Sequence, residues 1–416
     1  MLKLLNDEIV VLSAARTPIG GMDGELKAFK APQLGALALK AAVERSGLTP
    51  EQIEEVILGS VVSGGLGQSP AKQAAVAAGM PQTVRSMTVN TVCSSGMAAV
   101  VEGARAILSG TAGVVAVGGM ESRSSAPYLL GPKNPRGERV PGQAKGDTFI
   151  PECPAPTAGI DDYKKFVRTI RAAGIKEPNT FEALVCPFKS ATSMKDYAQA
   201  WGTSRGFTVD QINQAADESF RRAEAAAGEG AFDAEIAAVG EVRRDEIAAK
   251  ELQGILRAKS DSLCSSYNAP SLGDAGAALV LAESGRAKEL GARPIAKILA
   301  FSRVDTPPET FIEAPVTATR LILDGLKAAG RAADFDLFEG NESFGLQIPL
   351  FQKEVPIARQ NVHGGAVALR HPLGAAGARI LTTLLYALER HKLRRGIAAI
   401  CFASGGAYAV AVERSG

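Results

Sequence analysis

Cysteine is sparse in this 416-residue sequence, and its five copies, Cys93, Cys153, Cys186, Cys264 and Cys401, form no C-x-x-C pair. An odd, scattered set is not a disulfide framework, so a reducing compartment and a cytoplasmic enzyme are expected. Histidine is scarcer still, with His363, His371 and His391 only. No His/Cys/carboxylate group has metal-ligand spacing, so no metal is expected. Neither sign of charge dominates: 46 basic side chains face 44 acidic ones, for a net charge of +2. That balance gives no reason to expect nucleic acid or an acidic membrane as partner. No apolar run reaches the length of a membrane span. The opening residues carry no leader-like apolar region before Asp7 and Glu8, and Glu413-Arg414-Ser415-Gly416 carries no peroxisomal address. The glycine clusters Gly64-Gly65-Leu66-Gly67 and Gly118-Gly119 lack the spacing of a dinucleotide or phosphate loop.

What is present is a globular composition, 46% hydrophobic and 22% charged, long enough for two or three domains. The sequence repeats itself. Ile9–Leu12 reads as a buried strand, 33–46 as a helix closed by Gly47, and Glu55–Gly59 as a strand. Ile295–Leu299, Thr317–Ala329 with Gly330, and Phe335–Phe338 repeat that order. Gly96–Ser109 and Val114–Val117 give a further helix and strand, matched by Gly374–His391 and Ile397–Cys401. Strands without clean alternation predict sheets covered by helices on both faces. The middle, roughly 123–263, breaks the pattern with a Pro/Gly/charge-rich stretch from Gly131 to Gly159 and a helical signal over Ala216–Ala227. It is expected to form a loop domain over the site.

In this alignment of halves, Cys93 and His371 fall at matching loop–helix junctions. A cysteine at a helix start faces free N–H groups, which favours its thiolate; the alternative is a small buried hydrophobe. His371, held between Arg370 and Pro372, could take a proton from such a thiol, or be a satisfied structural histidine. Cys401 ends a strand, where ligand sites of α/β sheets gather, and could be a base or a structural thiol. Asn341, also after a strand, could hold a water or donate to an oxyanion, or begin an ordinary turn. His391 reads as a solvated helix-end residue. Arg221-Arg222 and Arg243-Arg244 read as solvated faces, with contact to a ligand phosphate as the alternative.

Taken together these segments resemble the thiolase family over nearly the whole chain. Ala14–Gly20, Val92–Met97, Gly118–Ser122, Asn341–Phe344, Gly364–Arg379 and Cys401–Ala403 stand in family order, the fourth resembling the Asn-Glu-Ala-Phe loop. The resemblance implies an α/β thiolase fold: duplicated βαβαβ halves in a five-layer αβαβα arrangement with an inserted loop domain. It divides the chain into an N-terminal half, 1–122 and 263–287, a loop domain, 123–262, and a C-terminal half, 288–416. It implies an acyltransferase that condenses or cleaves coenzyme A thioesters through an acyl-Cys93 intermediate. A second reading is a thiolase-like subunit that binds acyl-CoA or a partner without turnover.

By the same resemblance His371 takes the Cys93 proton and Cys401 moves the α-proton of the second acyl group. Asn341, through a water, and His371 hold the enolate oxygen, and the N–H groups of Cys93 and Ala403 hold a second oxyanion. Met194, Pro270, Ser271, Phe344 and Arg370 are expected to touch substrate. Coenzyme A enters as substrate and product, with no permanently bound cofactor, and a homodimer or homotetramer is implied. Several positions depart from the family pattern: Ala403 for glycine, Arg370 for the glycine before the histidine, His363 for a small polar residue, Pro270 for serine, and Ser193-Met194-Lys195 for His-Met-Gly. Arg370 adds bulk and charge beside the site, where it is expected to meet an acidic substrate group.

Overall fold

The computed structural model describes residues 1–127, 183–189 and 192–415, together with two short strands, Leu129–Leu130 and Ile175–Lys176. The stretch from Gly131 to Gly159, with Cys153, lies outside the described residues.

Each half builds a sheet on the same five-strand plan. In the first, the elements are β1 (Ile9–Arg16), α1 (Ala31–Ser46), β2 (Glu55–Gly59), α2 (Pro70–Ala77), β3 (Arg85–Val89), α3 (Ser95–Leu108) and β4 (Val114–Glu121). Helices α4 (Met194–Ser204), α5 (Val209–Gly228) and α6 (Lys250–Ala258) follow, before β5 (Gly273–Glu283) completes the sheet. The second half runs β6 (Ala296–Asp305), α7 (Ala314–Ala328), β7 (Leu337–Gly340), α8 (Gln347–Glu354), β8 (Arg359–Gln360), α9 (Leu373–Arg390), β9 (Arg395–Cys401) and β10 (Gly406–Arg414). The sheet orders are β3-β2-β4-β5-β1 and β8-β7-β9-β10-β6, with parallel and antiparallel pairs in the same places. Two residue pairs, Ala296 with Val11 and Lys297 with Val10, join the sheets edge to edge.

The burial of each helix follows from its layer. Helix α1 covers the outer face of the first sheet and α7 that of the second, each burying one side. Helices α3 and α9 lie between the sheets. From Leu373 to Leu385 every side chain of α9 is buried, as expected of a helix enclosed all round. Glycine lets these two helices touch backbone to backbone: a Cβ on Gly96 would stand 2.8 Å from the Ala378 nitrogen, and one on Gly377 would strike Met97. Gly119 likewise leaves no room for a methyl beside the Gly374 carbonyl. This close crossing brings the N-terminal ends of α3 and α9 together.

The segment between the halves is anchored by charge. Arg16, buried at the end of β1, pairs with Glu235 at 2.7 Å and Asp245 at 2.6 Å. Breaking such a buried network is costly because it strands charges without water. Arg222 donates to the carbonyls of Gln360 (2.7 Å) and Asn361 (3.2 Å), so it braces the second half rather than lying on a solvated face.

Candidate active site

Three loops meet at the ends of the central helices. The first carries Cys93, between Val92 and the start of α3. Val92 is held at φ 51, a left-handed conformation that is a genuine outlier for a β-branched residue. Its N–H donates to Asn90 Oδ1 at 3.0 Å, and Ser95 Oγ donates to its carbonyl at 2.6 Å. Next to Cys93, Ser94 Oγ donates to the carbonyl of Cys401 at 2.9 Å. The loop of one half is thereby clipped to the strand end of the other.

The second loop carries His371. Its N–H donates to the Ser271 carbonyl at 2.9 Å, and just beyond it the Gly374 N–H at the start of α9 donates to Glu121 at 2.9 Å. Glu121 also accepts from Val61 (3.3 Å) and Val62 (3.2 Å), tying β4 to this helix start. Neither ring nitrogen of His371 has a partner among the described residues. Burial, then the charges of Arg379 and Arg123, push its pKa down to about 3, so the ring is neutral at physiological pH. Cys93 is also neutral. Burial, then the neighbouring Cys401, push the Cys93 thiol well up, against the pull of its own N–H and of Arg123. The thiolate expected from the helix start is therefore not the resting form; desolvation outweighs the helix end, because the cysteine is buried and α3 begins two residues later. A neutral thiol and a neutral imidazole are a pair between which a proton can move.

The third loop follows β7. Asn341 is buried, its N–H on the Ala399 carbonyl at 2.9 Å. Its Nδ2 donates to Ser343 Oγ at 2.9 Å, and Ser343 Oγ stands 3.1 Å from Cys401 Sγ. Burial pushes the Cys401 thiol up, while Ser343 and Gln347 act to lower it. Glu342 locks this loop in place: it accepts from Ser219 Oγ (2.8 Å), Asn361 Nδ2 (2.9 Å) and the Val367 N–H (3.1 Å).

A single cavity of about 610 Å³ opens over these loops, with Cys93, His371, Ser343 and Ala403 among its walls. Met194, Pro270, Ser271, Phe344 and Arg370 line it too. Asn341 and Cys401 are fully buried and are not among its walls; both are in hydrogen-bond contact with Ser343, which is. The Ala403 N–H makes no hydrogen bond among the described residues and so is free to donate.

Comparison with known proteins adds what this geometry belongs to. The description "Thiolase, N-terminal domain" matches residues 9–164, and "Thiolase, C-terminal domain" matches residues 292–414.

The chain belongs to the thiolase family.

It is 36% identical to an acetyl-CoA acetyltransferase of Cupriavidus necator, over 98% of this chain and 99% of that one. An acetyl-CoA acetyltransferase of Escherichia coli is 35% identical over 97% and 98%. Among solved structures, the Acat5 thiolase of Ascaris suum in complex with coenzyme A superposes with a TM-score of 0.82 at 33% identity, covering 98% of this chain and 100% of that chain. The acetyl-CoA acetyltransferase of Bacillus anthracis gives 0.82 at 30%, covering 99% and 100%. This thiolase is an enzyme of the acyltransferase class, with the α/β thiolase fold that the resemblance implied.

Two positions of the thiolase depart from expectation in an informative way. Arg370 sits at φ 69, ψ 175, backbone that is essentially reserved for glycine. Its Nε donates to the Glu246 carbonyl at 2.6 Å and its Nη1 to Ser271 Oγ at 3.0 Å, with Nη2 at 3.8 Å from the Glu246 carboxylate. The guanidinium lines the cavity, but two of its nitrogens are already committed to the protein. His363 meets His391, Nε2 to Nε2 at 3.1 Å, so His391 is more than a solvated helix end. Sequence reasoning missed Ser343. The signal was a hydroxyl where the Asn-Glu-Ala-Phe loop has a methyl.

Proposed function

We propose that this thiolase interconverts two acyl-CoA molecules with a 3-oxoacyl-CoA and free coenzyme A, acetyl-CoA being the acyl donor named for its relatives. The single observation that carries the reading is the shared cavity, whose walls bring Cys93, His371 and Ala403 from both halves together, with Cys401 one hydroxyl behind. Cys93 attacks the thioester carbonyl as His371 accepts its proton, and coenzyme A leaves as the thiol. The second acyl-CoA then loses an α-proton to Cys401, and its enolate attacks the acyl group on Cys93. Asn341, through a water, and His371 hold the enolate oxygen. The N–H groups of Cys93 and Ala403 hold the oxyanion of the tetrahedral intermediate, where preorganised donors contribute most. Met194, Pro270, Ser271, Phe344 and Arg370 shape the cavity around the acyl and pantetheine chains.

The reading includes a cytoplasmic homodimer or homotetramer. It is supported by free, buried cysteines at Cys93, Cys186, Cys264 and Cys401 and by β3, an edge strand with Met87 exposed at 41%. No helix among the described residues is long and apolar enough to cross a membrane. The test of function is Cys93→Ala. The variant should lose both thioester exchange and condensation, and retention of either at the wild-type rate rejects Cys93 as nucleophile.

A further inference from the structure

Ser343 occupies a place that the scheme above leaves without a task. Its hydroxyl has one hydrogen to give. Asn341 Nδ2 can only donate, so at 2.9 Å it makes Ser343 Oγ an acceptor on that side. The remaining neighbour is Cys401 Sγ at 3.1 Å, and the hydroxyl hydrogen is directed there whenever the sulfur is a thiolate. Among the described residues nothing else holds the side chain: the loop itself is fixed by the Ser343 N–H on Gln347 Oε1 at 2.8 Å and by Glu342. The hydroxyl is thus held between the buried Asn341 amide, whose one side-chain hydrogen bond among the described residues it accepts, and the sulfur it faces.

We propose that Ser343 is a catalytic residue of the carbon–carbon bond-forming step, its hydroxyl donating to the Cys401 thiolate so that this buried sulfur can act as base. The inference rests on the assignment of Cys401 as that base. In the step it serves, the Cα–H bond of the second acyl group breaks and an S–H bond forms on Cys401. The bonding pair moves onto the thioester oxygen as an enolate; the sulfur enters this step as the thiolate, its own thiol proton having gone to solvent beforehand. Asn341 polarises the hydroxyl from behind, so Asn341, Ser343 and Cys401 act as one hydrogen-bonded line. Burial opposes the thiolate and the Ser343 contact favours it, in keeping with this direction.

The experiment compares two half-reactions. Exchange of the α-hydrogens of acetyl-CoA with D2O, followed by NMR, reports the base. Acylation of Cys93 by acetyl-CoA, followed by mass spectrometry, reports the nucleophile. Ser343→Ala should slow exchange at least ~10-fold more than it slows acylation, the worth of roughly one charge-assisted hydrogen bond. The acidic limb of the pH–exchange profile should move up by about one unit, and Ser343→Thr, which keeps a hydroxyl, should restore much of the rate. Equal losses in both half-reactions, or an unmoved limb, overturn the proposal. Cys401→Ala separates the layers of the argument. If it abolishes exchange while Ser343→Ala leaves it intact, the serine inference alone falls. If Cys401→Ala itself exchanges normally, the base assignment falls and takes the serine with it.

Discussion

At almost any site in a protein, replacing a residue with glycine costs more stability than replacing it with alanine, by about 0.5–1 kcal/mol. Position 370 should reverse that order. Arg370 holds φ 69, ψ 175, and a residue with a Cβ pays about 1–3 kcal/mol to stay there. The arginine offsets this through Nε on the Glu246 carbonyl and Nη1 on Ser271 Oγ, where a hydrogen bond from a charged donor contributes about 1.5–3 kcal/mol. Arg370→Ala loses those bonds and keeps the strain. Arg370→Gly loses the same bonds, vacates the same guanidinium space against Gly21, and releases the strain. The difference between the variants is therefore strain relief less the extra chain entropy of glycine, a net of about 0.5–2 kcal/mol in favour of glycine. Urea unfolding of both variants, compared at equal m-values, measures it. An alanine variant as stable as the glycine variant, or more so, would refute the argument that this backbone is strained.

Other outcomes follow from the same structure. Gly119→Ala places a methyl against the Gly374 carbonyl, where neither backbone can yield, so the variant should lose about 3 kcal/mol or more in urea unfolding; wild-type stability would contradict the close approach of β4 and α9. Acid titration should separate two kinds of buried group. His363, pushed down to about 4 mainly by burial, contributes stability that is present above pH ~6.5 and lost as pH falls towards 4. Glu339, pushed up to about 8 by burial, acts in the opposite sense: its contribution is full below pH ~4.5 and lost as pH rises through 8. His363→Gln should therefore flatten the fall of stability between pH 6.5 and 4 by up to ~1.4 kcal/mol per pH unit, and an unchanged slope there would show that the ring is already charged in the fold.

The duplicated plan was legible because its strands are short apolar runs at matching distances from two glycine-capped helices. Strand β3, Arg85-Ser86-Met87-Thr88-Val89, escaped notice because it lies at the sheet edge and mixes polar with apolar residues. Strand β5 escaped because its alanines and glycines carry little hydrophobic signal, although it lies inside the first sheet, between β4 and β1. At the site, residue type and helix-start position sufficed to nominate Cys93 and His371. Their protonation was not legible, because a helix start favours a thiolate while burial opposes it, and burial is a property of the whole fold. Ser343 was invisible for a related reason. Its partner Cys401 is distant in the chain, and only the folding of β7 beside β9 makes the hydroxyl meaningful.

The contact between α3 and α9 has a consequence for engineering. Most active sites hold their reacting groups apart by side-chain packing, which rotamer changes can loosen and mutation can retune. Here the spacing between the two helix ends is set by main chain resting on main chain, at Gly96 and Gly377. That dimension behaves like a machined tolerance, with no adjustable part between the faces. Attempts to enlarge the substrate range should therefore leave this seam alone and work on the side chains that line the cavity, Met194, Pro270 and Phe344 among them.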